Sequence, residues 1–117
     1  MKEIKAFIPI LRVNAVTEAL RSSGICDISA GEGCYNITVS QVQRLHSHAD
    51  PRRQQYSVTL AEPVVAETKL ELICSDELVD QLVELIAGAA RTGRPDAGWI
   101  FVSDIQRSVS IGRVSST

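Results

Sequence analysis

The chain has 117 residues, which is enough for one domain but leaves little room for a second core. Its 44% hydrophobic and 22% charged residues are typical of a folded globular protein, and its net charge of −2 lacks the basic excess of a general nucleic-acid binder. No apolar run approaches the roughly 20 residues that cross a bilayer, and the N-terminal residues lack the apolar segment of a signal peptide. We therefore expect a cytoplasmic protein that does not bind nucleic acid.

The three cysteines are too few for a disulfide scaffold. Cys74 ends an apolar run and is predicted to be a buried thiol. Cys26 and Cys34 flank a short segment that oxidation could close into a loop, although cytoplasmic thiols are normally kept reduced. The sequence alone leaves their pairing open.

The first part of the chain contains two predicted strands and one predicted helix. Alternating apolar residues predict a half-buried strand over residues 2–10. Apolar residues at helical spacing predict a helix over residues 14–23, with Gly24 as its stop. Residues 26–36 show no periodicity and are expected to form a loop, and the β-branched run at residues 37–42 predicts a second strand.

A polar segment follows the second predicted strand. Residues 43–55 cannot bury much apolar surface, so we expect a long, mobile loop of the kind that often carries function. Residues 56–60 alternate again and are expected to return the chain. His46 and His48 share a face of an extended segment, but no cysteine or carboxylate lies at ligand spacing, so we expect no metal site.

The second part of the chain contains the clearest helix. Residues 69–74 alternate and predict a third strand. Residues 76–91 have a wide apolar stripe, acidic residues in the first turn and an arginine in the last, which predicts a helix. A turn at residues 94–98 precedes a fourth strand at residues 99–102, and the weakly alternating tail from Ile105 predicts a short edge strand.

This order of elements predicts an α+β, ferredoxin-like βαββαβ fold, with an antiparallel sheet and both helices on one face. The opposite face of the predicted sheet keeps apolar residues, namely Phe7, Ile73, Trp99 and Phe101. An uncovered apolar face of this kind favours assembly with further copies of the chain.

Four stretches of the sequence resemble the PII signalling proteins. They are MKEIKAFIPILRVNAVTEALRSSGI at 1–25, ITVSQV at 37–42, KLELICSDELVDQLVELIAGAARTG at 69–93 and GWIFV at 98–102. The resemblance makes residues 1–117 a single domain, with an insertion at 26–36, a T-loop at about 43–60 and a B-loop at about 91–99. It implies a homotrimer that binds nucleotide in clefts between subunits, and a T-loop that contacts the regulated target.

The resemblance also implies a set of site residues. Thr38 would offer its hydroxyl to the adenine edge, the backbone around Ile73 would do the same, and Trp99 would add an aromatic face. The nucleotide-binding residues expected on this basis are Phe7, Thr38, Val39, Ile73, Thr92, Gly93, Arg94, Gly98, Trp99 and Arg113. The residues expected to hold an anion or a partner are Arg44, His46, His48, Arg52 and Arg53.

The phosphate-binding positions depart from the family pattern. Trp99 stands where PII proteins have a lysine, and Asp96 where they have a glycine. Ser110 and Gly112 replace two arginines that grip phosphates, and Arg113 lies one position away. Because a charge-assisted contact is worth roughly 1.5–3 kcal/mol, we expect ADP or AMP to bind better than ATP.

The T-loop departs from the family pattern as well. The tyrosine that some members uridylylate falls on Leu60, so that modification is not expected. A glycine and a glutamine that help place phosphates and 2-oxoglutarate fall on His46 and His48, which disfavours 2-oxoglutarate as a ligand.

The remodelled T-loop and the insertion resemble the carboxysome-associated PII-like proteins. That resemblance implies bicarbonate as a second ligand, held by Arg44, Arg52, Arg53 or Arg94, and a target among bicarbonate transporters or carbon-fixation proteins. It further implies association with carboxysomes, and membrane contact only through a transporter.

Three alternatives stay open. The first is a conventional ATP and 2-oxoglutarate nitrogen-status sensor, and the second is a CutA-like trimer without nucleotide. The third is an acylphosphatase-like enzyme using Arg12, but the sequence shows no nucleophile–base pair, so an enzyme is not expected.

Overall fold

The computed structural model describes residues 1–27, 33–45, 54–57, 60, 62–95 and 97–112. These residues form strands β1 (Lys2–Pro9), β2 (Cys34–Leu45), β3 (Gln54–Ser57), β4 (Glu62–Cys74) and β5 (Trp99–Asp104), and helices α1 (Val13–Ser22) and α2 (Val79–Ala90). A single 3₁₀ turn precedes each helix, at Ile10–Arg12 and Asp76–Leu78. Among the described residues, neither helix has the length and apolar content needed to span a membrane.

The strands form one antiparallel sheet in the order β2-β4-β1-β5. β1 is a central strand, which pairs with β4 on one side and β5 on the other. β3 pairs with the first part of β4, beyond the point where β1 ends at Pro9. β2 and β5 therefore lie at opposite ends of the strand order, and we call them the β2 edge and the β5 edge.

Both helices pack on one face of this sheet. Alternate residues of β1 and β4 point into the core, because successive side chains of a strand face opposite ways. The helices supply the other side with residues one turn apart. The best buried members of the core are Ile4, Ala6, Ile8, Leu70 and Leu72 from the sheet and Val16, Leu20, Leu82 and Ile86 from the helices. The predicted α+β, ferredoxin-like fold is confirmed.

The opposite face of the sheet carries aromatic side chains that the single chain does not cover. Trp99 is 53% exposed and Phe101 54% exposed. Phe101 packs edge-on against Phe7, with ring centroids 6.0 Å apart, and stacks on Trp99 at 6.4 Å. This arrangement agrees with the apolar outer face predicted from the sequence.

The β2 strand is longer than predicted at both ends. It begins at Cys34 rather than residue 37, and it continues to Leu45, so the first three residues of the predicted 43–55 loop belong to the strand. The register shifts between Tyr35 and Thr38, and Asn36 in this bulge has a φ of 49°. The bulge breaks the alternation on which the prediction depended.

The β4 strand is also longer than predicted, and the described part of the tail after β5 does not form the predicted edge strand. β4 begins at Glu62, seven residues before the predicted start at residue 69. Glu67 and Thr68 are polar yet buried, so the apolar pattern stops short of the true strand. Beyond β5, residues 105–112 form no strand, although the Ile105 amide donates one hydrogen bond to the Met1 carbonyl at 3.1 Å.

The three cysteines meet at one end of the sheet. Cys26 and Cys34 form a disulfide bond, which settles the pairing that the sequence left open. Cys74 is a free, fully buried thiol, as predicted, and it pairs with Cys34 in the β2–β4 register.

Candidate functional site

A cavity of about 420 Å³ lies between the end of α2, the start of β5 and the middle of β1. We call it the α2–β5 cavity. Its lining includes five of the sequence-predicted nucleotide-binding residues, Phe7, Gly93, Arg94, Gly98 and Trp99. The small side chains of Ala6, Ala87 and Ala90 leave the space open. The structure thus brings half of the predicted set to one concave surface.

At Gly98, beside this cavity, the backbone between α2 and β5 passes very close to β1. Gly98 has a φ of 102°, a conformation that favours glycine. A Cβ at this position would lie 3.1 Å from the carbonyl oxygen of Phe7 and 3.4 Å from Cδ of Pro9. The connection from α2 can therefore lie directly on β1, which places Trp99 beside Phe7 in the antiparallel register.

The connection itself is a compact turn. The Ala97 amide donates to the Arg94 carbonyl at 3.3 Å, and the Arg94 amide lies 3.4 Å from Oγ1 of Thr92. These bonds leave Arg94 at the mouth of the cavity, where its side chain is exposed. Thr92 lies in the same turn but does not line the cavity.

A second cavity, of about 500 Å³, opens on the aromatic face of the sheet. We call it the sheet-face cavity. It is lined by Phe7, Val42, Gln43, Arg44, Trp99 and Phe101. Since Phe7 and Trp99 line both cavities, these two rings form the wall between them.

Arg44 is held by a buried carboxylate. Its Nη2 donates to Oε2 of Glu67 at 3.1 Å, and its Nε lies 2.8 Å from Oε1 of the same residue. The second contact is ionic rather than a well-aligned hydrogen bond. Glu67 is only 2% exposed, so the pair is largely removed from water. Arg44, predicted as a residue of the loop, is thus a strand residue whose charge is already balanced.

The remaining described residues of the predicted site lie apart from both cavities. Thr38 and Val39 are on β2, and Ile73 is on β4. None of the three lines the α2–β5 cavity or the sheet-face cavity. β4 and β1 separate β2 from β5, which is three strand spacings or roughly 14 Å. One chain therefore presents the predicted set as two separate groups.

Several predicted residues lie outside the described part of the chain. They are His46, His48, Arg52, Arg53 and Arg113, together with Asp96 of the B-loop. Within the described part, no group of three or more His, Cys, Asp or Glu side chains is placed to hold a metal ion.

Sequence reasoning missed the role of two charged residues. Glu67 is the buried partner of Arg44, and its neighbours Ala66 and Thr68 give no sequence signal of that role. Arg12 donates from Nε and Nη2 to the Ala89 carbonyl at 3.0 and 2.8 Å, which caps the last turn of α2. Its guanidinium thus stabilises the helix end beside the α2–β5 cavity, instead of forming the phosphate cradle of an acylphosphatase.

Comparison with known proteins decides the family. A model of the family described as nitrogen regulatory protein P-II matches residues 1–114. The chain belongs to the P-II family. P-II proteins are trimeric regulatory proteins rather than enzymes, bind adenine nucleotides and act on target proteins. The match favours the P-II interpretation over the CutA-like and acylphosphatase-like alternatives.

The similarity to individual P-II proteins extends along nearly the whole chain. The nitrogen regulatory protein P-II of Rhodobacter capsulatus is 35% identical over 111 residues, covering 95% of this chain and 91% of the relative. That of Haemophilus influenzae is 34% identical over 115 residues, with the same coverage. Nitrogen regulatory protein P-II 2 of Methanothermobacter thermautotrophicus is 32% identical over 115 residues, covering 95% of this chain and 89% of the relative.

Proposed function

We propose that this P-II protein is a homotrimer that binds ADP or AMP, in preference to ATP, in the clefts between its subunits. Nucleotide binding would change the conformation of the T-loop, at about residues 43–60, which then engages or releases a target protein. The observation that carries the proposal is that Thr38 and Val39 lie at the β2 edge of the sheet, whereas Gly98 and Trp99 lie at the β5 edge, too far away to form one site within a single chain.

The division supports a site completed by a second copy. In a ring of identical subunits, one surface of each subunit meets a different surface of the next. The α2–β5 cavity of one subunit can then lie beside Thr38 and Val39 at the β2 edge of its neighbour. The same assembly would cover the exposed Trp99 and Phe101.

The chemistry of the α2–β5 cavity favours a nucleotide with few phosphates. Trp99 lines the cavity with an aromatic face and adds no positive charge at the position where P-II proteins have a lysine. Arg91 and Arg94 are the cationic side chains among the described lining residues. Two arginines can hold one or two phosphates by charge-assisted bonds, whereas a triphosphate requires more donors.

The Arg44–Glu67 pair disfavours a dicarboxylate such as 2-oxoglutarate. The Arg44 guanidinium is already paired with Glu67, so it is not free to bind a second carboxylate in the sheet-face cavity. A small anion would have to be bound elsewhere. We propose bicarbonate for this role, with Arg94 and the undescribed Arg52 and Arg53 as its ligands.

The proposed target belongs to inorganic-carbon metabolism, as a bicarbonate transporter or a carbon-fixation protein. The proposed location is the cytoplasm, in association with carboxysomes. The main support is the remodelled sequence of the T-loop and B-loop, in which Trp99 and the two histidines His46 and His48 replace family residues.

A second candidate is a conventional nitrogen-status sensor that binds ATP with 2-oxoglutarate. The relatives named above favour it, because each bears the name nitrogen regulatory protein P-II. The two candidates differ in ligand rather than in fold, so a binding measurement separates them.

The test is isothermal titration of ATP, ADP, AMP and cyclic AMP, with and without bicarbonate and with 2-oxoglutarate. We expect ADP or AMP to bind more tightly than ATP, and bicarbonate to tighten that binding. Binding of ATP only together with 2-oxoglutarate would overturn the proposal in favour of the nitrogen sensor. Absence of binding by every nucleotide would overturn both.

The variant Trp99→Lys sharpens this test. It restores a cation to the α2–β5 cavity, so ATP affinity should rise by about 10-fold or more, as expected for one charge-assisted contact. Phe101→Lys is the matched control, because Phe101 is equally exposed on the same sheet face but lines only the sheet-face cavity. Equal effects of the two variants would show that Trp99 is not at the phosphates.

A further inference from the structure

The disulfide joins Cys26, four residues beyond the end of α1, to the first residue of β2. The Cα atoms of Cys26 and Cys34 lie 5.1 Å apart, and the two residues are 3% and 1% exposed. The Ser23 hydroxyl accepts from the Ile25 amide at 3.0 Å and donates to the Leu20 carbonyl at 2.8 Å. The bonds at Ser23 fix the chain just before Cys26, so one end of the disulfide is anchored to the helix.

The other end of the disulfide is attached to a short piece of strand. Only Cys34 and Tyr35 pair with β4 before the register shifts, and the continuous ladder resumes at Thr38. β2 also pairs only with β4 among the described strands, since it ends the strand order. The disulfide therefore supplies a large share of what holds the beginning of β2 in place.

A glycine allows the two backbone segments that carry the cysteines to lie close together. Gly33 has a φ of 81°, and a Cβ there would overlap the carbonyl oxygen of Ile25. Only glycine allows the backbone to pass so close to the chain before Cys26. Without the covalent bond, this left-handed glycine and the Asn36 bulge are the points at which the start of β2 can move.

We propose that the Cys26–Cys34 bond is a redox-controlled restraint on the start of β2, which we call the latch. A dithiol reductant opens the latch by reducing the bond, and this opening weakens nucleotide binding through Thr38. This inference rests on the proposed nucleotide site. Thr38 is the first residue of the continuous ladder and lies four positions after Cys34. Release of Cys34 therefore frees the backbone on the N-terminal side of Thr38, so the Thr38 hydroxyl is no longer held in position from that side, while the ladder after Thr38 stays paired.

The chemistry is a two-electron thiol–disulfide exchange. Because both cysteines are buried, local opening of the start of β2 must first expose a sulfur; one thiolate of the reductant then attacks it, and the Cys26–Cys34 bond breaks as a mixed disulfide forms. The second thiol of the reductant then displaces the protein sulfur. The protein ends with two thiols, and the dithiol ends as a disulfide. In thiol-rich compartments, disulfides of this kind are usually transient and serve catalysis or redox sensing.

Cys74 provides an internal control. It lies opposite Cys34 in the ladder, but burial raises the pKa of its thiol and keeps it in the protonated, unreactive form at neutral pH. Cys74→Ala should therefore leave the latch and its response unchanged. The double variant Cys26→Ala/Cys34→Ala should behave like the reduced protein in every condition.

The experiment measures ADP affinity by isothermal titration in the oxidised protein and after treatment with dithiothreitol. Thiol counting in denaturant should give one thiol before treatment and three after it, as the sequence requires. Hydrogen exchange of residues 33–40 reports the mobility of the strand independently of nucleotide. We expect reduction to weaken ADP binding by about fivefold or more and to raise exchange before Thr38.

The outcomes separate the latch from the proposed function. Equal ADP affinity in both redox states would overturn the latch and leave the nucleotide site intact. Absence of ADP binding in both states would overturn the proposed function, and with it the coupling to nucleotide. An unchanged exchange pattern would overturn the mechanical part of the latch. The reduced wild-type protein supplies the comparison if the double variant does not fold.

Discussion

The β5 edge of the sheet is shaped by one backbone turn that lies on the central strand, whereas the β2 edge is held at two points by side-chain bonds. At the β5 edge, residues 91–99 connect α2 directly to β5. Gly98 allows this connection to lie against β1. At the β2 edge, Cys34 is bonded to Cys26, and Arg44 pairs with Glu67, 23 positions away.

This difference affects what each edge can do. A consecutive turn seated on a central strand gives a preformed cavity, as at the α2–β5 connection. An edge strand is different when a disulfide holds one end of it and an ion pair holds it towards the other. Its conformation can change when either of these two bonds is broken. We therefore expect the β5 edge to bind nucleotide and the β2 edge to change conformation. The following substitutions test that distinction.

The largest effect is expected at the Arg44–Glu67 pair. Arg44→Met leaves the carboxylate of Glu67 buried without its partner, which should lower the free energy of unfolding by about 3 kcal/mol, as measured by urea denaturation. The double variant Arg44→Met/Glu67→Leu should recover to within about 1 kcal/mol of the wild type, because no charge is then buried. A loss below about 1 kcal/mol in the single variant would show that water screens the pair.

A smaller effect is expected at the β5 edge. Gly98→Ala forces an alanine to a φ of 102° and crowds the Phe7 carbonyl, so the free energy of unfolding should fall by about 1–3 kcal/mol. Gly88→Ala is the matched control, because Gly88 lies in α2 with open space around it and should gain about 0.5–1 kcal/mol. If both glycine variants were stabilised, the close approach at Gly98 would not be required.

The smallest effect is expected at a surface ion pair that belongs to neither edge and so serves as a reference. The Met1 ammonium lies 2.6 Å from Oδ1 of Asp76, and this hydrogen bond lowers the pKa of the Asp76 carboxyl. A lowered pKa stabilises the fold above the unfolded value of about 3.9, and this contribution disappears as the pH falls through the folded value.

The measurement compares thermal unfolding of the wild type and Asp76→Asn between pH 2 and 7. The wild type should be slightly more stable at pH 5–7, and the two curves should converge below about pH 3.9. Glu77→Gln, at a neighbouring exposed carboxylate, is the matched control. A gap between the Asp76→Asn and wild-type curves that persists at pH 2 would contradict the assignment.

The parts of the fold that follow one regular pattern could be predicted from the sequence. The apolar stripe of α2 and the alternation of β1 gave both elements to within a few residues. β2 and β4 were predicted too short, because Asn36 introduces a bulge and Glu67 places a charge in a buried position. Pairing partners 20 or more positions away leave no local pattern in either strand.

The same limit applies to the candidate site. Gly93, Arg94, Gly98 and Trp99 are close in sequence, and they line one cavity. Phe7 joins them because β1 pairs with β5. The commitment of Arg44 to Glu67 depends on the β2–β4 register, which no property of either residue alone reveals. The sequence pointed to Arg44 as a chemically important residue, but its partner was visible only in the fold.

The central place of β1 has a consequence for biosynthesis. β1 leaves the ribosome before its partners β4 and β5, and Lys2 pairs with Asp104, 102 residues further on. Such long-range closure makes folding slow, because chain entropy opposes every distant contact until the partner exists. During translation, the apolar residues of β1 therefore remain unpaired until β4 and β5 have been synthesised. A nascent chain stopped before residue 99 would lack β5 and would expose one whole side of its central strand.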